Sequence, residues 1–277
     1  MEKLPRRLTT LVTRPAVAVL AVAVVMAGAG TAAAKDWLPI FQTEKVAPIS
    51  LSAADLVALP DLRAYGDVQI TGANGVRKVD DAAAAAKRSG LDVPEVSKLP
   101  SGVTGTPTYQ VGGKVSVTFT YSEAKATKAA GKKLPPAPAG LDGKPLRLDA
   151  GPGVGQLWES TSGMPALLVG RAVAPTAHSS GIEFATARDY LLSLPGIPAD
   201  VAAKLKTFSA DGSTLPLPVP EDQVTTSSES VNGHQATVLT SRDRSVSAVV
   251  WVSGGVVTAV AGSLDKSEVL DVARGLR

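Results

Sequence analysis

The feature that most constrains this chain is a run of twenty uncharged residues, Pro15 to Ala34, near its amino terminus. As a helix, a run of that length extends about 30 Å, which is the thickness of the hydrocarbon core of a bilayer. Basic residues precede the run, so the amino terminus should stay in the cytoplasm while the rest of the chain is exported. We therefore expect a short cytoplasmic basic tail at residues 1–14 and a single transmembrane helix, or uncleaved signal anchor, at residues 15–34.

A cleaved signal peptide is the alternative interpretation of the same segment. A basic start, an apolar middle and the small residues Ala32, Ala33 and Ala34 before Lys35 are typical of a secretory signal. The apolar run exceeds the usual signal core of roughly 7–15 residues, which favours the retained anchor. Both alternatives place residues 35–277 outside the cytoplasm, either at the cell membrane or, after cleavage behind Ala34, secreted.

The charge of the chain lies at its amino terminus, and this argues against nucleic acid as a partner. The formal net charge is +3, and residues 1–14, with four bases and one acid, account for all of it. The remaining chain is neutral overall and lacks the basic surface that nucleic-acid binding requires. The chain also has no cysteine, which excludes disulfides, thiol catalysis and thiolate metal sites.

Hairpin signals dominate the exported part and predict its fold class. Two-residue turns are expected at Gly112-Gly113, Asn232-Gly233 and Gly254-Gly255, each between strand-like segments. Together with short helices, these hairpins predict an α+β fold, in which an antiparallel sheet carries helices packed on one face. Trp251 alternates with valines in the last hairpin and is expected to be a core residue.

Domain boundaries follow from the same signals. We expect residues 35–79 to form a juxtamembrane stalk with the first strand, and residues 80–277 to form an extracytoplasmic α+β domain. A Pro-rich insert lies near 134–145, and the segment "LPLPVP" at 215–220 is predicted to be an extended connector.

Capping residues predict where the helices begin. Ser52 is expected to cap a short helix that ends at Pro60, and Asp80 or Asp81 to cap a helix before Gly90. Ser263 or Asp265 is expected to cap the last helix. That helix has an apolar side suited to packing on the sheet, formed by Val269, Val272, Ala273 and Leu276.

The chain offers little that could perform chemistry. His178 precedes Ser179 and Ser180, but neighbours in sequence rarely present the geometry of a nucleophile and its base, and no G-x-S-x-G motif is present. His178 is therefore interpreted as a loop histidine, and "GPGVG" at 151–155 as a turn. We predict no catalytic, cofactor-binding or metal-ligating residue, no cofactor and no enzyme activity.

The last 55 residues of the chain support a resemblance. The Asn232-Gly233 turn, Trp251 in the penultimate strand and the final helix from Lys266 resemble an extracytoplasmic domain of Gram-positive membrane proteins, some of them anti-sigma-factor-like (domain of unknown function 4367). The resemblance extends over residues 80–277 with a long central insert, and the Ala-rich sequence suggests an actinobacterial source. It implies a sensor or binding domain, but the short tail without His or Cys departs from the zinc-binding cytoplasmic domain of anti-sigma proteins.

Two functions from different classes follow. The first is a single-pass membrane-anchored sensor or binding domain of the cell envelope, without enzyme activity, whose partner is an unknown envelope protein or lipid ligand. The second is a carrier of lipid or lipoprotein, because a curved antiparallel sheet under helices can form an apolar trough, as in periplasmic lipoprotein carriers. A packed interface between sheet and helices would favour the first function, and an apolar cavity open to solvent would favour the second.

Overall fold

The computed structural model describes residues 38–51, 61–72, 75–160, 165–208 and 213–277. Within these ranges the chain is α+β with mostly antiparallel sheets, which confirms the α+β class. No helix in these ranges is long and apolar enough to cross a membrane. The proposed membrane segment, the predicted helix after Ser52 and its end at Pro60 all lie outside the described residues.

Fifteen strands and five α-helices are formed by the described residues. The strands are β1 (Leu38–Gln42), β2 (Lys45–Leu51), β3 (Gly66–Gly72), β4 (Val76–Val79), β5 (Thr108–Gly112), β6 (Val115–Tyr121), β7 (Pro145–Ala150), β8 (Gly153–Trp158), β9 (Leu167–Val173), β10 (Thr176–Ser179), β11 (Thr214–Pro220), β12 (Val224–Val231), β13 (His234–Ser241), β14 (Ser247–Ser253) and β15 (Val256–Gly262). The helices are α1 (Ala82–Ser89), α2 (Glu123–Ala130), α3 (Phe184–Leu192), α4 (Ala199–Phe208) and α5 (Lys266–Arg274), and a short 3-10 helix spans Leu62–Ala64.

The strands form two large antiparallel sheets and one parallel pair. The larger sheet has eight strands in the order β12-β13-β14-β15-β9-β8-β5-β4. The smaller has five, in the order β1-β10-β7-β6-β3, and β11 pairs with β2 in parallel. Among strand pairs that are consecutive in sequence, β3–β4 passes from one large sheet into the other, and so do the three adjoining pairs β5–β6, β7–β8 and β9–β10.

The pairing register continues through these crossings. Gly112 lies opposite Gly153 in the larger sheet, and four residues along the same strands Ser116 lies opposite Asp149 in the smaller one. The neighbouring pair keeps its register in the same way, from β8–β9 to β7–β10. The two large sheets are therefore continuous across these strands and form one sheet with a bend.

The hairpin predicted at Gly112-Gly113 is wrong. β5 pairs with β4 and β8, whereas β6 pairs with β3 and β7, so the two strands never lie side by side. A two-residue hairpin turn requires positive φ at its centre, and neither Gly112 nor Gly113 adopts it. The two glycines stand instead where a long strand bends from the larger into the smaller sheet.

Residues 35–79, expected to form a stalk, contribute four strands to the body. β1 pairs with β10, β3 with β6 and β4 with β5. β2 pairs over its whole length with β11, the segment predicted to be a connector. β11 contains three prolines that have no N–H to donate, and its single partner among the described strands is β2, as expected for a Pro-rich strand.

The turns predicted at Asn232-Gly233 and Gly254-Gly255 and the caps predicted at Asp81 and Asp265 are confirmed. Asn232, Gly233, Gly254 and Gly255 all have positive φ, and each pair connects an antiparallel hairpin, β12–β13 and β14–β15. The side chain of Asp81 accepts a hydrogen bond from the backbone of Ala84, and α1 then ends at Gly90 in the left-handed conformation. Asp265 and Glu268 form a reciprocal capping box at the start of α5.

Around β14, the eight-stranded sheet buries both of its faces. On one face Val249 and Trp251 of β14 pack with the apolar side of α5, including Val269 and Ala273. Trp251 is 6% exposed, which confirms its predicted place in the core. On the other face, Val250 and its neighbours pack against the β2–β11 pair.

The smaller sheet has its own core under α2 and α3. Tyr121 and Tyr190 meet edge to face there, and the Tyr190 hydroxyl donates to the Pro135 carbonyl at 2.8 Å. Leu134 and Leu141, from the Pro-rich insert, are buried in the same cluster. The insert is therefore part of the packed structure, because its apolar residues fill the space beside the two tyrosines.

Candidate functional site

An apolar cavity of about 220 Å³ lies on the face of the eight-stranded sheet that is turned away from α5. Its lining comes from six neighbouring strands, β4, β5, β8, β9, β15 and β14, together with the bend and Leu215 of β11. Val76 and Val173 belong to the lining and are 52% and 37% exposed, so they stand at the edge where the cavity meets solvent. The site is thus a partly open trough across the strands.

Side-chain size along the strands creates this trough. Residues that lie opposite one another on neighbouring strands share a face, and three such rows cross the cavity floor. Small residues occupy the middle of each row: Gly112–Gly153–Ala172, Gly155–Gly170–Ala259 and Ala261–Ala248. Larger residues of the lining continue these rows on either side: Val76, Gln110, Leu168, Val250 and Val257. Had the middle positions carried valine or leucine, their side chains would occupy the space.

The glycines differ in how much room they leave. A Cβ built on Gly155 or Gly112 would meet no atom within 4 Å, so both face open space. A Cβ on Gly153 would lie 3.2 Å from the Cβ of Ala172 and 3.3 Å from the carbonyl oxygen of Arg171. The cavity is therefore widest over Gly155 and Gly112 and closes down beside Ala172.

The β2–β11 pair covers the adjoining part of the same face. Val46, Leu217 and Val219 pack there on residues of β13 and β14 such as Leu239 and Val250. Leu215 of β11 reaches the cavity itself. The cover thus ends near β14, and the strands from β14 to β4 line the trough.

A polar cluster lies at the bend, on the smaller sheet. At its centre is Asp149, which is 6% exposed and accepts a hydrogen bond from the Ser116 hydroxyl at 2.5 Å. The second carboxylate oxygen lies 3.1 Å from Nη2 of Arg147, 3.4 Å from Nζ of Lys114 and 3.6 Å from Nε2 of His178. Two permanent cations, Lys114 and Arg147, thus contact one buried acid.

These contacts shift two pKa values downward. Burial alone would raise the pKa of Asp149, but the Ser116 hydroxyl together with Lys114 and Arg147 outweighs burial and lowers it. Burial and the charge of Arg147 lower the pKa of His178, and the opposing effect of Asp149 does not compensate. Asp149 is therefore ionised and His178 neutral near pH 7.

His178 is not the loop residue that the sequence suggested. It lies in β10, paired on either side with β1 and β7, and its Nε2 is 3.2 Å from the Thr176 hydroxyl. Its Nδ1 is buried and has no hydrogen-bond partner among the residues that the structure describes. The expectation failed because the turn residues around Ser180 and Gly181 concealed a four-residue strand before them.

Ser179, the serine beside His178 in the sequence, is not positioned as its nucleophile. The Ser179 hydroxyl donates to the Ile182 carbonyl and accepts from the backbone N–H groups of Gly181 and Ile182, so a local turn uses it fully. His234 stands at the start of β13, exposed, with its Nε2 3.0 Å from the Ser253 hydroxyl. Within the described ranges, no three His, Cys, Asp or Glu residues group together in a way that could hold a metal ion.

Sequence reasoning missed the residues of the trough. Gly153 and Gly155 were interpreted as part of a turn, although only Gly151 in that segment has positive φ and β8 begins at Gly153. The available signal was the recurrence of small residues at every second position, as in Gly153 and Gly155 or Gly170 and Ala172. Spacing of that kind puts small residues on one face of a strand.

Fold and site together define a class: an α+β body with a bent antiparallel sheet and an apolar trough on one face of it. Comparison with protein-family models, curated proteins and solved structures found no match for the chain. The resemblance of residues 80–277 to the extracytoplasmic domain of Gram-positive membrane proteins therefore stays a prediction.

Proposed function

We propose that this protein is a non-enzymatic binding protein of the cell envelope that holds an apolar chain in the trough of its bent sheet. The segment at residues 15–34 anchors it in the membrane, and the body lies outside the cytoplasm. A sensor that responds to the ligand and a carrier that transfers it both need such a site. The observation that carries the proposal is the cavity of about 220 Å³ over Gly155 and Gly112.

The dimensions of the trough favour a narrow ligand. A buried apolar cavity of about 150 Å³ admits one benzene ring, whereas pockets for drug-sized molecules measure roughly 300–1,000 Å³. The trough lies between these sizes, but it crosses six strands, a distance of about 24 Å. One leaflet of a bilayer, and hence one acyl chain, extends about 15 Å. The length of the trough therefore accommodates a single alkyl chain.

The carrier and the sensor differ in whether the ligand must leave the protein. An open trough supports the carrier, because Val76 and Val173 stand exposed at its edge. The packed interface between α5 and the opposite face supports a rigid binding domain. We therefore propose ligand binding, which the sensor and the carrier have in common. Transfer of the ligand is the second candidate function, and the open edge of the trough favours it.

Photo-crosslinking tests the proposal on the full chain held in amphipol. The probe is a monoacylglycerol with a diazirine in its chain, and mass spectrometry locates the labelled peptides. We expect label on β5, β8 and β9, and its loss in Gly155→Val, whose side chain projects into the open space. The matched control is Ser228→Val, at an exposed position on the edge strand β12 in the same cross-strand row. Equal labelling of wild type and Gly155→Val at these strands would refute the proposal.

Cell fractionation tests the anchor. A carboxy-terminal tag on the full chain should be found in the membrane fraction and resist extraction by high salt. A soluble product that begins near Lys35 would show that residues 15–34 are a cleaved signal, and would leave the binding site proposal unaffected.

A further inference from the structure

The short link between the predicted anchor and β1 limits how the body can be placed on the membrane. The anchor ends at Ala34, and β1 begins at Leu38. The four peptide units between them extend at most about 14 Å, and the lipid head groups occupy about 5–7 Å of this distance. The start of β1 therefore lies within about 10 Å of the lipid surface when residues 15–34 span the bilayer.

Strand register shows which other parts of the body lie at the start of β1. One row crosses the smaller sheet at this end: Leu38, Ser179, Leu146, Phe119 and Val68. β6 ends at Tyr121, two positions beyond that row, and β7 begins at Pro145, one position beyond it. The whole connection between these strands, which consists of α2 and the Pro-rich insert, therefore leaves and rejoins the sheet at the end where the anchor arrives.

Further contacts hold α2 and the insert at this end. α2 contacts the 3-10 helix that precedes β3, and its Lys125 pairs with Asp67, near the start of β3, at 2.6 Å. The insert approaches the turn after β10, because a Cβ on Gly140 would lie 2.7 Å from the carbonyl oxygen of Gly181. The 3-10 helix, α2 and the insert thus cover the membrane end of the smaller sheet.

Exposed lysines are concentrated in this cover. Residues 122–144 contain five lysines and two acids, and Lys125 is the lysine that pairs with Asp67. The acids, Glu123 and Asp142, meet at the start of α2, where the Glu123 N–H donates to the Asp142 carboxylate at 2.8 Å. The remaining four lysines are exposed and have no ion pair with any described residue: Lys128, Lys132, Lys133 and Lys144. We refer to residues 61–67 and 122–144 as the basic end.

The basic end also has an exposed leucine. Leu62 begins the 3-10 helix, is 50% exposed, and stands next to α2 through the contact between the two helices. Lysines beside an exposed apolar side chain are typical of segments at a lipid surface, because the apolar group enters the head-group region while the ammonium groups stay among the phosphates. The short link, the lysines and Leu62 therefore favour the same orientation of the body.

We propose that the basic end docks on the surface of the membrane that holds the anchor, with its four unpaired lysines on anionic lipid head groups and Leu62 between those head groups. The proposal rests on the anchor in the proposed function and adds an orientation of the body to it. Each lysine near an anionic surface contributes about fivefold to docking, and added salt weakens this contribution by screening the charges.

Fluorescence quenching in nanodiscs tests the docking on the full chain. Because the chain has no cysteine, Ala129→Cys, at an exposed position on α2, accepts a single fluorophore. The discs contain phosphatidylcholine alone or equal amounts of phosphatidylcholine and phosphatidylglycerol, with a nitroxide quencher on some head groups. We expect strong quenching in the anionic discs, which high salt weakens, and weak quenching in the neutral discs. A fluorophore at Ser228→Cys, on the edge strand β12 of the larger sheet, should stay unquenched in both.

Two variants that lose the same charge locate the docking surface. The basic-end variant has glutamine in place of four lysines: Lys128, Lys132, Lys133 and Lys144. The control variant has glutamine in place of four exposed bases around β4 and α1 of the larger sheet: Lys78, Lys87, Arg88 and Lys98. We expect the basic-end variant to lower the ratio of docked to undocked protein by about tenfold or more, and the control variant to leave it unchanged. Equal thermal unfolding of the two variants verifies that both are folded.

The outcomes separate this proposal from the proposed function. Equal quenching at Ala129→Cys in neutral and anionic discs, or with and without the four lysines, overturns the docking. A loss of quenching in the control variant alone places the membrane contact at the larger sheet and overturns it as well. A soluble product that begins near Lys35 overturns the docking together with the anchor. Labelling of the trough by the diazirine probe is measured separately, and its absence refutes the binding function while the docking result stands.

Discussion

The two faces of the eight-stranded sheet are made by the same strands and have opposite properties. In β14, Trp251 and Val249 fill one face under α5, while on the neighbouring strands Ala259 and Gly170 leave the other face hollow. Backbone geometry and hydrogen bonding are shared, so the difference lies in side-chain size alone. One face stabilises the fold, and the other has small residues where a stable core would have large ones.

Deleting residues 264–277 tests the filled face and should have the largest effect. The deletion removes α5, whose Val269, Leu270, Val272 and Ala273 are all buried. Burial of such side chains contributes on the order of 4–8 kcal/mol, comparable to the whole stability of a typical domain. We expect an aggregated or proteolysed product, as judged by expression and gel filtration.

The control for this deletion is Asp271→Ala on the exposed side of α5, which should change the free energy of unfolding by less than about 0.5 kcal/mol. A soluble truncated protein that still unfolds cooperatively would show that α5 is peripheral to the fold.

Trp251→Ala tests the same face at one residue. The indole is 6% exposed and packs with β13, β15 and α5 through the surrounding cluster, so its removal leaves a large cavity. We expect a loss of about 3–5 kcal/mol in the free energy of unfolding, measured by urea denaturation. A loss below about 1 kcal/mol would mean that the two faces tolerate missing volume equally well.

Two valine substitutions on one strand sharpen the comparison on the hollow face. Gly155→Val adds a side chain to open space and removes the flexibility of a strand glycine, so stability should rise by about 0.5–1 kcal/mol. Gly153→Val, two residues away on the same face, would press on Ala172 and should cost about 1–3 kcal/mol. Thermal unfolding of both variants gives the sign directly.

If Gly155→Val is more stable than the wild type and the probe no longer labels the trough, the wild-type glycine lowers stability at a position that binding requires. If Gly155→Val is more stable and the trough is still labelled, the open space over Gly155 is a packing defect.

Acidification should have the smallest effect, and it acts through the polar cluster at the end of the hollow face. Because the pKa of His178 is lowered in the folded protein, the unfolded chain binds a proton first as the pH falls through the ordinary value of 6.5. The free energy of unfolding should therefore decrease as the pH falls below 6.5. A second decrease follows below the ordinary value of 3.8 for Asp149, whose folded pKa is lowered as well.

Urea denaturation from about pH 7 to about pH 5 measures the first decrease in the free energy of unfolding. His178→Gln should remove the part of this decrease that comes from protonation of His178. His234→Gln, an exposed histidine, is the control and should leave the slope as in the wild type. If the free energy of unfolding of His178→Gln depends on pH as steeply as that of the wild type, the lowered pKa of His178 is contradicted.

Local signals in the sequence were sufficient for the elements that local chemistry controls. The turn at Asn232-Gly233 requires positive φ at both central residues, and the cap at Asp265 requires one side-chain oxygen near the first turn of α5. Trp251 was recognised because strand alternation places it among apolar neighbours. Each of these features depends on residues a few positions apart, which the sequence presents side by side.

The hairpin predicted at Gly112-Gly113 failed for the opposite reason. Whether two glycines turn a chain or let it bend depends on which strands are available to pair, and β4 and β8 come from distant parts of the sequence. The same holds for β2, whose partner β11 lies more than 160 positions away. Pairing energy between distant segments overrode the local preference of the glycines.

The sequence by itself determined the α+β class, the turns at Asn232-Gly233 and Gly254-Gly255, the caps at Asp81 and Asp265 and the apolar side of α5, because each follows from neighbouring residues. Only the tertiary structure decided that Gly112, Gly153 and Ala172 lie opposite one another, and that Lys114, Asp149 and His178 meet at the bend. A trough and a charge cluster are properties of strand register. Register is set when remote strands pair, and no single stretch of this sequence contains it.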